Sequence, residues 1–176
     1  MNRYKYLIIG ILLLGSFLLI GNMKKEKGVE IGDKLPTFSL QDQDGRTFTS
    51  TDYIGKKAMV IYFYSKDDTS GCTKEACKFR DNYENFTNLE VEIVGISGDN
   101  VASHKNFADK YNLPFTLLAD TNNEVRKLFG VPSNLFGAIP GRVTYVVNKE
   151  GFVIQIYNSM IKAENHIDVA LKALKN

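Results

Sequence analysis

An α/β fold built on one sheet is what this sequence predicts, and three observations predict it. An uninterrupted apolar run, Ala58 to Tyr64, has the length of a strand and shows no polar face, which suits a strand covered on both sides. Downstream of it, stretches of helical spacing alternate with strand-like runs as far as Gly130. The chain then closes with an alternating hairpin pattern and an amphipathic stretch. Of the 176 residues, 1–28 form a separate N-terminal block and 29–176 have the size of one domain with one main core.

The elements follow in order. Leu35 to Thr49 alternates apolar and polar positions around Asp44-Gly45, which reads as a hairpin ahead of the main sheet. Gly55-Lys56-Lys57 bounds the apolar run on one side and the polar loop Ser65 to Ser70 on the other, so 58–64 is a central strand. Cys72, Ala76, Phe79 and Tyr83 recur at helical spacing. Val91 to Ser97 is the next strand, Asn100 opens a helix that Leu113-Pro114 closes, and Phe115 to Ala119 is a short strand. Thr121 and Glu124 have the spacing of a capping box for a helix that ends at Gly130. Arg142 to Val147, the turn Asn148 to Gly151 and Phe152 to Tyr157 form a second hairpin, and Ile167, Ala170, Leu171 and Leu174 line a final helix. This order predicts a thioredoxin-like fold with an extra N-terminal β-hairpin.

Apolar residues at 44% and charged residues at 24% exclude the disordered, collagen-like and small disulfide-stapled classes. The charge is unevenly placed. Arg3, Lys5, Lys24, Lys25 and Lys27 against Glu26 give the first 28 residues +4, and 17 bases against 19 acids leave the remainder at −2. A mildly acidic body has no electrostatic footprint for nucleic acid, and the isoelectric point of about 8.4 comes from the leader. Between Lys5 and Lys24 lie 18 uncharged residues, Tyr6 to Met23, enough to cross a bilayer as one helix. The segment Leu18 to Met23 offers no good small-x-small cleavage site, so a transmembrane or signal-anchor helix is expected, with a cleaved, secreted form as the alternative. The expected location is membrane-anchored, with the domain outside the cytoplasm.

The two cysteines, Cys72 and Cys77, fall just after the central strand. In open α/β sheets the crevice beyond the carboxyl ends of the strands receives ligands, and the first turn of the following helix presents unpaired N–H groups there. A thiol in that turn is stabilised as thiolate, which is the nucleophilic form. The spacing is not C-x-x-C. In an intact helix, residues five apart have Cα atoms roughly 8 to 9 Å from each other, beyond the ~7 Å reach of a disulfide. A zinc site would need two further ligands. The two histidines, His104 and His166, read as surface residues of predicted helices, so neither a metal nor a cofactor is expected.

The segment Ser65-Lys66-Asp67-Asp68-Thr69-Ser70-Gly71-Cys72-Thr73-Lys74-Glu75-Ala76-Cys77 resembles the active-site stretch of peroxiredoxins of the Q subfamily, also called the bacterioferritin comigratory protein type. Gly32 to Pro36, Phe38-Ser39-Leu40, Gly95 to Asp99, Phe107 to Phe115 and Leu117 to Asp120 follow the course of that family in order, so the resemblance covers about residues 29 to 176. It implies a thiol peroxidase, acting on hydrogen peroxide and organic hydroperoxides. Cys72 would be the peroxidatic cysteine and Cys77 the resolving one, joined after turnover as an intramolecular disulfide. The hydroxyl of Thr69 would bond beside the thiolate, and Arg142 would supply positive charge. The implied reductant is thioredoxin or a thioredoxin-like protein, and the implied state is a monomer. One position departs from the family: Ser65 stands where proline is usual. Serine leaves that stretch freer and adds a hydroxyl expected to recruit water beside the thiolate.

Two other functions fit the architecture. A membrane-anchored thiol-disulfide oxidoreductase would carry C-x-x-C and a cis-proline directly before the strand facing the cysteines, where this chain has Val143 before Thr144. A membrane-tethered copper-delivery protein would carry C-x-x-x-C followed by proline and a ligating histidine, whereas Lys78 follows Cys77 here.

Overall fold

The computed structural model describes residues 28–134 and 139–175. Its main sheet has seven strands: β1 (Ser39–Asp42), β2 (Thr47–Thr49), β3 (Ala58–Phe63), β4 (Val91–Ser97), β5 (Thr116–Ala119), β8 (Val143–Val147) and β9 (Val153–Asn158). Their spatial order is β2-β1-β5-β4-β3-β8-β9. β3, β4 and β5 run parallel, while β8, β9 and the β1–β2 hairpin are antiparallel to their neighbours. The helices are α1 (Ser70–Asp81), α2 (Tyr83–Thr87), α3 (Val101–Tyr111), α4 (Glu124–Leu128) and α5 (Asn165–Leu174). A second, two-stranded sheet pairs β6 (Ser133–Asn134) with β7 (Ile139–Pro140). Strands this short carry no periodicity that a sequence pattern could show.

The unbroken apolar character of β3 is explained by two cores, one on each face of the sheet. Val60 and Tyr62 join α1, α2, α3 and α5 through Ala76, Phe79, Phe86, Phe107, Ile167 and Ala170. Met59, Ile61 and Phe63 point the other way, onto Val125, Phe129, Tyr145 and the aromatic pair Phe38 and Phe48 of the N-terminal hairpin. That hairpin turns at Gly45, whose φ of +77° suits glycine. Its Asp42 carboxylate accepts from the N–H groups of Asp44 and Arg46, each at 2.9 Å. β1 then pairs with β5 and extends the sheet by one edge.

Three expectations need correction. Among the described residues no helix is long and apolar enough to cross a membrane, so the fold is cut back to its thioredoxin-like part; the apolar run 6–23, on which the membrane-spanning or signal-anchor helix was expected, lies outside those residues. The Thr121–Glu124 capping box does not form. Asn123 occupies the cap in a left-handed conformation, and the Asp120 carboxylate instead accepts from Val125 N (3.2 Å) and Arg126 N (2.8 Å). Both histidines are completely buried rather than on the surface.

Candidate active site

β3 and β4 direct their carboxyl ends to the same edge of the sheet, and the chain leaves β3 there to form the loop 64–69 ahead of α1. Polar groups hold that loop from below. Asp67 N donates to Asp99 Oδ2 at 2.9 Å, while the Asp67 carboxylate accepts from Tyr64 Oη and Ser103 Oγ, each at 2.7 Å. His104 Nδ1 lies 3.0 Å from the same carboxylate, and its Nε2 donates to Leu118 O at 3.1 Å. Burial works to raise the Asp67 pKa, but His104, Ser103 and Tyr64 outweigh it and hold the carboxyl below its usual value. On the outer side, the Asp68 carboxylate accepts from Lys110 Nζ (2.8 Å) and Tyr111 Oη (2.9 Å).

Cys72 is the third residue of α1 and is 1% exposed. Arg142, which immediately precedes β8 and is itself buried, donates from Nη2 to Cys72 Sγ at 3.2 Å. Its Nη1 donates to Met160 O at 3.0 Å. The guanidinium packs so closely on the helix start that a Cβ at Gly71 would lie 3.0 Å from Nη2, so glycine is what allows this approach. Burial works against the Cys72 thiolate, yet Thr69, the backbone at Lys66 and Arg142 together lower the thiol pKa below its ordinary value. Thr69 is the N-cap residue, but its side chain makes no cap bond; the hydroxyl donates to Lys66 O at 3.1 Å. One hydroxyl proton serves one acceptor at a time, and here it is on Lys66 O. Cys77 is half-buried on the same intact helix, and both cysteines are free.

Behind the arginine lies a polar group that the sequence reading missed. Glu75 is fully buried, and its Oε2 is 2.9 Å from Arg142 Nε, off the direction of a hydrogen bond, so the contact is Coulombic. Burial pushes the Glu75 carboxyl well above its usual range against the pull of Arg142, and the negative sulfur of Cys72 pushes the same way. Glu75 Oε1 is 3.4 Å from His166 Nδ1, which accepts from Thr144 Oγ1 at 2.7 Å, while His166 Nε2 donates to Ser159 O at 3.0 Å. A signal for Glu75 existed. It stands on the stripe of Cys72, Ala76 and Phe79 at helical spacing, so a carboxylate there faces the core.

Ser65 also differs from expectation. Its hydroxyl donates to Pro140 O at 2.8 Å, so it is committed to the segment just before Arg142 rather than to water at the sulfur.

Burial lowers the His166 pKa to about 4, which keeps the ring neutral when folded. The unfolded chain protonates this ring near its ordinary value of 6.5. Its neutral form therefore favours folding above that pH, and the contribution is lost as pH falls toward 4, by up to about 3 kcal/mol. Urea unfolding of the wild type and His166→Gln between pH 7 and 4 is expected to show one proton's worth of extra pH slope in the wild type. Equal slopes would contradict the buried neutral ring.

All four residues singled out from the sequence lie in this one region. Cys72 and Arg142 are in contact, Thr69 stands at the N-cap position of the helix that carries the sulfur, and Cys77 is about one and a half turns further along α1. Among the described residues, no group of three or more His, Cys, Asp or Glu side chains is placed to hold a metal ion.

Comparison with known proteins bears on this geometry. The AhpC/TSA family profile matches residues 31–156. A chloroplastic peroxiredoxin Q of Populus jackii is 53% identical over 84% of this chain and 69% of its own length. Another, from Sedum lineare, is 54% identical over 82% and 77%. Among solved structures, the peroxidoxin BcpB of Mycobacterium tuberculosis superposes with a TM-score of 0.78 at 33% identity, over 84% of this chain and 97% of that one. A peroxiredoxin Q of Xanthomonas campestris gives a TM-score of 0.72 at 34% identity, over 78% and 89%. Those plant relatives are named as chloroplastic proteins, which contradicts the expected membrane-anchored, extracytoplasmic placement.

Proposed function

Since the chain belongs to the AhpC/TSA family, and within it to the peroxiredoxin Q group, we propose a reaction cycle for its thiol peroxidase activity in which Cys72 is the reacting thiol. The contact of Arg142 Nη2 with Cys72 Sγ at 3.2 Å, in the first turn of α1, is the observation that carries it. The Cys72 thiolate attacks one peroxide oxygen and the O–O bond breaks. An S–O bond forms, and the departing oxygen takes a proton to leave as water or an alcohol. Negative charge moves from sulfur to that departing oxygen, so the Arg142 guanidinium and the Thr69 hydroxyl stabilise the transition state more than the reactants. Hydrogen peroxide and organic hydroperoxides share the bond that breaks.

The Cys77 thiol then displaces water from the Cys72 sulfenic acid and forms a disulfide within the chain. A thioredoxin-type dithiol reduces it and is itself oxidised. We assign the whole cycle to the domain 29–176. Peroxide-dependent oxidation of reduced thioredoxin by catalytic amounts of the protein tests this reading, and absence of turnover with any hydroperoxide would overturn it.

α1 is continuous from Ser70 to Asp81 in this reduced state, and a disulfide between residues five apart does not fit an intact helix. Amide exchange across 70–80 is therefore expected to be much faster in the oxidised protein than in the reduced one. Equal protection in the two states would contradict the pairing of Cys72 with Cys77.

A further inference from the structure

Arg126, on α4, is 6% exposed, and both of its terminal nitrogens are taken by backbone carbonyls rather than by a carboxylate. Nη2 donates to Tyr64 O at 2.6 Å and Nη1 to Gly141 O at 3.0 Å. The guanidinium carbon lies 5.5 Å from the centroid of the Phe63 ring. A cation withdrawn from water is costly, and a neutral side chain of that volume would fill the same space without the cost. The two carbonyls explain it. Tyr64 is where β3 passes into the cysteine loop, and Gly141 is the residue before Arg142.

The β3–β8 ladder ends at Phe63 opposite Val143, so sheet pairing does not hold the two chains together beyond that point. Arg126 bridges them just past it, at Tyr64, one residue after Phe63, and at Gly141, two residues before Val143. Ser65 adds a second link with its hydroxyl on Pro140 O at 2.8 Å, so two successive residues on the cysteine side are tied to two on the arginine side. Gly141 N donates to Pro132 O at 2.8 Å and closes the arginine side from behind.

We propose that Arg126 is a positioning residue for the peroxidatic thiol: its forked guanidinium, with Ser65 as the second link, holds the start of the cysteine loop against the segment bearing Arg142. The proposal rests on Cys72 being the reacting thiol. A planar fork suits two carbonyls at once, whereas lysine offers one point charge and meets only one of them.

The test uses full-length protein in a Cys77→Ser background, so that Cys72 is the one cysteine that titrates. The readouts are the second-order rate of Cys72 with hydrogen peroxide and the pH titration of its thiolate absorbance. Arg126→Gln is expected to slow the reaction about tenfold or more and to move the titration upward, because small misplacements of reacting groups are costly. Arg126→Lys is expected to restore the titration but not the rate. Ser65→Ala is expected to slow the reaction about threefold, and Ser65→Pro, which also lacks the hydroxyl, by a similar amount. Should Arg126→Gln fail to fold, Arg126→Lys and Ser65→Ala decide. Rates within about twofold of the parent in both, or full rescue of the rate by lysine, would overturn the positioning role. A Cys72→Ser control separates the two failures: if it still consumes peroxide, the reading of the site is wrong, and if it is inactive while the other variants are fast, only the clamp is wrong.

Discussion

Cys72→Ser is expected to reduce peroxide consumption to the level of buffer alone. The serine hydroxyl is not ionised near neutral pH, and Arg142, the charged group in contact with that position, is a cation and not a base that could ionise it. The fold should survive, since the substitution is nearly isosteric at a buried site and leaves the hydrogen-bond donors around it in place. Peroxide loss followed alongside a thermal melt separates lost chemistry from lost structure. Residual turnover in a folded Cys72→Ser protein would move the reacting thiol to Cys77.

Arg142→Met is expected to have the next largest effect, a fall in the peroxide rate of about 10²-fold or more, the usual consequence of removing one donor aimed at developing charge. The same change should raise the Cys72 titration, because one of the groups that offsets burial of the thiolate is gone. Glu75 then loses its cation, and burial already drives its carboxyl toward the neutral form, so it protonates rather than remaining as an unpaired buried charge. The variant should therefore fold. An unchanged thiolate titration together with an unchanged rate would show that the 3.2 Å contact has no part in the reaction.

How much of this was legible in the sequence depends on which physical signal each element carries. β3 was legible because both of its faces are buried and the apolar run is unbroken, and the β1–β2 hairpin because alternation and Asp44-Gly45 mark its register and turn. Cys72 was legible from its place after a buried strand and at a helix start. Buried ionisable groups were legible only in part, since a place on an apolar stripe was a signal but the partners were not. His104, Glu75 and His166 each stand on the apolar stripe of their helix, and residue polarity alone suggests solvent; their burial depends on partners distant in the chain, Asp67, Arg142 and Thr144. The cap of α4 was misread because Asp120 reaches past the turn to the helix N–H groups, which sequence spacing does not show. Arg126 gave no sequence signal, since its partners are main-chain carbonyls and any residue supplies those. The charge-bracketed leader was the opposite case, a strong compositional pattern from which location was inferred too far.

Site-resolved mass spectrometry after one equivalent of hydrogen peroxide tests the central claim, that Cys72 takes the oxygen and Cys77 resolves it. The wild type is expected to yield a peptide with Cys72 and Cys77 joined, and Cys77→Ser to carry a single oxygen on Cys72 that a sulfenic-acid trap captures. Oxygen on Cys77 with Cys72 left as a free thiol, in either protein, would contradict the account.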